Sequence, residues 1–194
     1  VVGFATTTRE INDSAWRFYS QTFEYLRKNR VNVQIFAGET DPSSIPIALV
    51  RACARRIAGG FKILDSDVLT NDVTSHGMSV LVSDTPRMRK ATTEWYKSPI
   101  RTFYDLGIRV AFCSIHGAFV GKSRSEMLHD IAINGGFAAV DLMNIIGFTF
   151  STAFIEYGEM KKIRSQFWHD GNEVLADNGF SNFMKRTWVK SLAE

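Results

Sequence analysis

The sequence predicts an α/β fold built around a parallel sheet. Three observations predict it. Five short apolar, β-branched runs recur before residue 114. A segment with helical spacing follows each of the first four, directly or after a loop. Beyond residue 122 the periodicity is helical only. Strand–helix–strand units return to one sheet by right-handed crossovers, and those crossovers make neighbouring strands parallel.

Residues 1–7 form the first β-branched run, beginning Val1-Val2-Gly3-Phe4. Asn12 or Asp13 then caps a helix that places Ala15, Phe18/Tyr19, Thr22/Phe23 and Leu26 on one face. Residues 31–36 are a second strand. Residues 43–55 read as a helix with Pro46 near its start, where a missing N–H is harmless. A glycine-containing third strand spans 57–63, followed by a short helix over 65–75 that Gly77 ends. Residues 78–82 are a fourth strand, 83–97 a long polar loop, 99–106 a short helix and 108–113 a fifth strand. Helices then cover 123–134, 139–154 and 156–175, before a tail over 182–192 that holds Trp188. The division is a five-stranded βα part, 1–122, and C-terminal helices, 123–194, packing on the same domain.

With 194 residues and 45% apolar content the chain can bury one core. The formal charge of +3 is too small to argue for nucleic acid. Cys53 and Cys113 form no CxxC and read as reduced thiols in an intracellular protein, cytoplasmic or mitochondrial and not secreted. The longest apolar stretch, 138–154, is interrupted by Asp141, Asn144 and Gly147, so it reads as a buried helix and no membrane span is expected. The chain opens on Val1, not Met, with no signal peptide ahead of its first strand. Removal of an N-terminal segment, or membership of a longer chain, is therefore expected.

Five parallel strands suit either a doubly wound sheet or part of a (β/α)8 barrel, and periodicity alone does not choose. The motifs do. Gln34-Ile35-Phe36-Ala37-Gly38-Glu39-Thr40 resembles the fifth strand of the adenosine deaminase family, which ends His-Ala-Gly-Glu. Arg56-Ile57-Ala58-Gly59-Gly60-Phe61 resembles that family's Arg-Ile-Gly-His-Gly. Residues 80–87, 99–113 and Gly135-Gly136-Phe137 are similar to later segments in the same order, and Val1-Val2-Gly3-Phe4 to the fourth strand. The resemblance implies a partial TIM barrel, the equivalents of strands four to eight with a helical C-terminal extension. Its active site would lie at the C-terminal strand ends.

In that family a metal activates the attacking water, a carboxylic acid protonates the ring nitrogen, and a His and an Asp orient the hydroxide. By the resemblance, Glu39 retains the proton donor. A metal-binding His falls at Phe36, the orienting His at Gly59, the Asp ligand at Ile115 and the second Asp at His116. A substrate-contacting Gly falls near Thr8, and the Asp before it at Ala5. Two metal ligands on the first strand fall outside the chain. Phe36 and Ile115 offer no donor atom, and a catalytic site needs about three protein ligands. The expectation is therefore a catalytically inactive, deaminase-like structural or interaction subunit, not an enzyme, with no cofactor. Protein partners, or a missing N-terminal segment, would complete the barrel. The alternative is a zinc-dependent purine nucleoside deaminase rebuilt around Glu39 and His116 and completed by that segment.

Other candidates carry less. His76, His129 and His169 have no spacing with His116 that suggests a metal site. The stretch Gly117 to Ser123 misses phosphate-loop spacing by one residue, although Lys122 and a helix N-terminus could attract an anion weakly. Arg87 to Lys90 with Trp95 and Tyr96, and Met184 to Lys190, mix basic and aromatic residues as nucleic-acid contacts do, but read more simply as a solvated loop and an amphipathic terminal helix. Phe148, Phe150, Phe154, Phe167 and Trp168 read as core or helix-packing residues.

Overall fold

A computed structural model describes residues 3–6, 10–83, 99–113 and 123–179. Strands β1 (Gly3–Ala5), β2 (Asn32–Ala37), β3 (Arg56–Gly59), β4 (Ser79–Ser83) and β5 (Arg109–Cys113) form one sheet in the order β1-β2-β3-β4-β5, and every neighbouring pair is parallel. The order never reverses. A doubly wound sheet reverses at its switch point, whereas a barrel adds each strand beside the last. The fold is therefore α/β, an arc of a (β/α)8 barrel.

Seven α-helical segments and a 3₁₀ segment (Phe61–Asp65) accompany the strands among the described residues, the former being α1 (Asp13–Lys28), α2 (Ser44–Pro46, continuing as a π-helical turn over Ile47–Arg51), α3 (Asp67–Ser75), α4 (Pro99–Asp105), α5 (Arg124–Gly135), α6 (Ala139–Ser151) and α7 (Tyr157–Asp177). Their starts follow from local chemistry. The Asn12 side chain accepts from the Ala15 N–H at 2.9 Å, and Arg27 and Lys28 sit in the last turn of α1, where cations favour the helix dipole. Ser66 caps α3. Ser123 and Glu126 form a reciprocal capping box on α5.

Register sorts the strand residues onto two faces. Ile35, Ile57, Val80 and Val110 pair across β2 to β5 and are fully buried. They pack in one cluster with Phe23 and Leu26 of α1, Val73 of α3, Phe103 of α4, Ile131 of α5 and Ile145 of α6. Each such side chain contributes roughly 1.5–3 kcal/mol of burial free energy, so this helix-covered face is the core. The opposite, inner face carries one row of Gln34, Arg56, Ser79 and Arg109, and a second of Phe36, Ala58, Leu81 and Ala111. On the outside, the Tyr104 hydroxyl of α4 donates to Asp141 and accepts from Asn144, both at 3.0 Å, which fastens α6.

The turn between α6 and α7 closes the N-terminal end of the inner face. Thr152 C=O accepts from Arg56, and the Phe154 ring lies 4.1 Å from the Arg56 guanidinium. That ring rests on Gly3, where a Cβ would come within 2.3 Å of it.

Several elements differ from the sequence reading. The third strand stops at Gly59 instead of running to 63, because Gly59 and Gly60 take φ of +101° and +76° and the chain turns into a 3₁₀ segment over Phe61–Asp65. The second helix ends near Arg51, ahead of Cys53 at φ +50°. On α1, Phe18 and Tyr19 are 80% and 52% exposed and pack edge to face on each other, while Trp16 stacks on Phe23 and takes their expected place. Every residue of α6 is buried or half-buried, but the helix stops at Ser151. Phe150, Phe167 and Trp168 pack together between α6 and α7. Among the described residues no helix is long and apolar enough to cross a membrane.

Candidate functional site

The C-terminal strand ends bring together Ala5 and Thr6, the stretch Phe36 to Glu39, Gly59 and Gly60, and Cys113. The loop after β1 is tied to β2. Thr6 Oγ1 accepts from the Phe36 N–H at 3.0 Å, and the Ile11 N–H donates to Phe36 C=O at 3.2 Å. Ala5 is exposed at the end of β1.

The turn after β2 is organised by two residues that sequence reasoning did not single out. The Glu10 carboxylate accepts from three successive backbone N–H groups, those of Glu39, Thr40 and Asp41, and from the Thr40 hydroxyl. Successive N–H groups converging on one anion form a concave, positively polarised nest. The fully buried Ser44 accepts from the Gly38 N–H at 2.7 Å, and its hydroxyl donates to Asp41 C=O at 2.6 Å. No local signal could have revealed Glu10, because its partners lie about thirty positions further along the chain.

Glu39 is half-buried at the end of this turn. Its Oε2 lies 3.1 Å from the point where a Cβ on Gly59 would sit, and Ala37 C=O lies 3.2 Å from that point. With φ at +101°, Gly59 accepts a side chain only at the cost of strain. The position where the resemblance put an orienting histidine is thus occupied from the side by the Glu39 carboxylate. Phe36 is half-buried on the inner face, one register step from Ala58. Cys113 is a free, half-buried thiol. Burial pushes its pKa up, and the positive charges of Arg56 and Arg124 offset part of that rise.

Ile115, His116 and Thr8 lie outside the described residues, as do Arg87 to Lys90, Trp95, Tyr96, Lys122 and Met184 to Lys190. The start of α5, weighed above as a weak anion site, is filled by the Glu126 carboxylate at 2.6 Å from the Ser123 N. His76 bonds to Asp72 C=O at the end of α3. His129 is exposed beside Asp130 on α5. His169, Asp170 and Glu173 place donor atoms within 4.8 Å of one another, but all three are exposed on α7.

No family model matches the chain. The chain is 25% identical over 170 residues to a Dictyostelium discoideum protein described as a probable adenosine deaminase; the match covers 86% of this chain and 22% of that protein. An amidohydrolase of Burkholderia ambifaria with bound zinc superposes with a TM-score of 0.77 at 18% identity, covering 90% of this chain and 49% of the other. Adenine deaminase of Arthrobacter aurescens gives 0.76 at 14% identity, covering 87% and 52%. The Arabidopsis N6-mAMP deaminase gives 0.73 at 16%, covering 87% and 50%. The chain thus spans about half the length of these structures and less than a quarter of the curated relative.

Two expectations are corrected by these findings. The readings "not an enzyme" and "no cofactor" rested on the donor-free side chains Phe36 and Ile115 and the side-chain-free Gly59. The relatives are named as deaminases or amidohydrolases, and one holds zinc. The physical reason for the error is that a barrel assembles its site from many strands, so positions on half of them do not speak for the rest. Among the described strand ends, Phe36 and Gly59 do not fit a metal, and no chemical step through one follows from them. The chain is thus similar in sequence to a probable adenosine deaminase and in fold to part of the barrel of deaminases and amidohydrolases.

Proposed function

We propose that this chain is one half of a deaminase-type barrel, and that its role is to dock with a complementary half and close the barrel around the strand ends bearing Glu39. One observation carries the reading. The five strands follow barrel order, yet β1 and β5 each pair with one neighbour only among the described residues. Parallel strands with a free edge are normally paired or covered. The partner is a protein segment supplying further parallel strands, from the same polypeptide or another.

Sedimentation of the 194-residue chain alone tests this. Self-association, or folding only when co-expressed with the complementary segment, is the expected result. A cooperatively unfolding monomer would overturn the reading.

The match to a curated deaminase favours a second reading, about chemistry. In the completed barrel we propose hydrolytic deamination of a purine, with Glu39 as proton donor and the metal ligands drawn from strands beyond these five. Glu39→Gln in the completed protein should abolish ammonia release while leaving the fold intact. Absence of both zinc, at about one per barrel, and purine-dependent ammonia release would sink the chemical reading without touching the docking one.

A further inference from the structure

A second feature lies at the opposite end of the sheet from Glu39. Arg109 opens β5, and Arg164 sits on α7. Both line a cavity of about 330 Å³ together with Thr74, Asn144, Ser151 and Trp168. That volume is at the lower end of the range for small-ligand pockets.

The surrounding charge is unbalanced. In register, Arg56, Ser79 and Arg109 occupy adjacent strands on the same inner row. Among the described residues the ion-paired arginines are Arg51 and Arg101, so Arg56, Arg109 and Arg164 have no carboxylate partner. Each makes one long hydrogen bond of 3.3 Å, to Thr152 C=O, Gly77 C=O and Ser151 Oγ respectively. A guanidinium offers five N–H donors, so among the described residues most of these donors have no protein acceptor. Further along the inner row, outside the lining of the cavity, Arg56 Nε and Ser79 Oγ are buried without a partner among the described residues. Arg109 is exposed and Arg164 half-buried, so both guanidinium groups that line the cavity are open to pairing with an anion in it.

We infer that this cavity is an anion site for a small phosphorylated molecule carrying a planar ring, the class of a nucleoside monophosphate. Arg109 and Arg164 bind the phosphate oxygens, since guanidinium–phosphate pairs are charge-assisted and often bidentate. Ser151, Thr74 and Asn144 supply neutral hydrogen bonds, and the Trp168 indole offers a surface for the ring. The inference does not rest on the docking or deaminase readings, because its residues lie at the N-terminal end of β5 and on α3, α6 and α7.

Calorimetric titration of the purified protein, in its native assembly, with adenosine 5′-monophosphate, inorganic phosphate and adenosine tests it. The monophosphate should bind at one site per chain, at least about tenfold tighter than either of the others. Arg109→Ala and Arg164→Ala should each weaken it about tenfold or more, with Arg164→Lys retaining part of the affinity and circular dichroism confirming that each variant is folded. No binding, or equal binding of inorganic phosphate, overturns the assignment. So does monophosphate binding that both alanine variants leave unchanged, since that places the ligand elsewhere.

Discussion

The Glu10 carboxylate accepts a hydrogen bond from the backbone N–H of Glu39, 29 residues further along the chain, and so sets where the Glu39 side chain begins. The same carboxylate takes the N–H groups of Thr40 and Asp41. Glu10→Ala would strip the turn of its acceptor. The expected cost is ~1–3 kcal/mol for donors left poorly satisfied, read as a lower urea midpoint at unchanged m-value. Glu10→Gln should cost less, because one carbonyl oxygen remains. A midpoint unchanged in Glu10→Ala would show that water replaces the carboxylate without penalty.

Gly59 and Glu39 compete for one space. Gly59→Ala should destabilise by ~1–3 kcal/mol, from the left-handed backbone and from crowding against Oε2 and Ala37 C=O. Removing the Glu39 side chain relieves only the first of the two contacts. The double variant Gly59→Ala with Glu39→Ala should therefore lose less than the sum of the singles. Strict additivity in the cycle would mean that the two side chains do not meet.

At the other end of the sheet, Gly3 admits the Phe154 ring. A Cβ there would lie 2.3 and 2.9 Å from two ring carbons. Gly3→Ala should cost ~1–3 kcal/mol by overpacking, and Phe154→Ala should absorb most of that penalty in the double variant. Phe154→Ala alone removes the ring stacked on Arg56. The loss of such a cation–π contact is worth ~0.5–2 kcal/mol. Melting temperatures of the four proteins decide the matter, and an uncoupled pair would place Phe154 elsewhere.

Cys113 supplies a pH prediction. Burial raises its folded-state thiol pKa above the ordinary value, so the neutral thiol is favoured in the native state. Stability from this group is complete below the unfolded thiol pKa of about 8.5. It is lost as pH rises from there through the folded value, because the unfolded chain releases its proton first. Cys113→Ser should flatten the stability–pH curve above that point. In the folded protein Cys113 should react with iodoacetamide more slowly than the exposed Cys53, and mass spectrometry of the alkylated peptides reads the ratio directly.

The sequence alone determined the strand–helix alternation, the parallel pairing it implies, and the helix starts at Asn12 and Ser123. These are local features, carried by period-2 and period-3.6 apolar patterns and by cap residues a few positions from their targets. The family motifs also placed Phe36, Glu39 and Gly59 at strand ends. Tertiary structure decided the rest. Strand order, which selects a barrel arc over a doubly wound sheet, depends on partners a whole crossover away. The choice of Trp16 over Phe18 and Tyr19 for the core side of α1 depends on where the sheet lies beneath the helix. Glu10 acquires its role from three N–H groups about thirty residues later. Arg109 and Arg164 stand far apart along the chain and line one cavity only because α6 and α7 pack back beside the start of β5. Spacing along the chain records which side of its own element a residue occupies, but a shared site also needs the relative placement of the elements, and long-range packing supplies that.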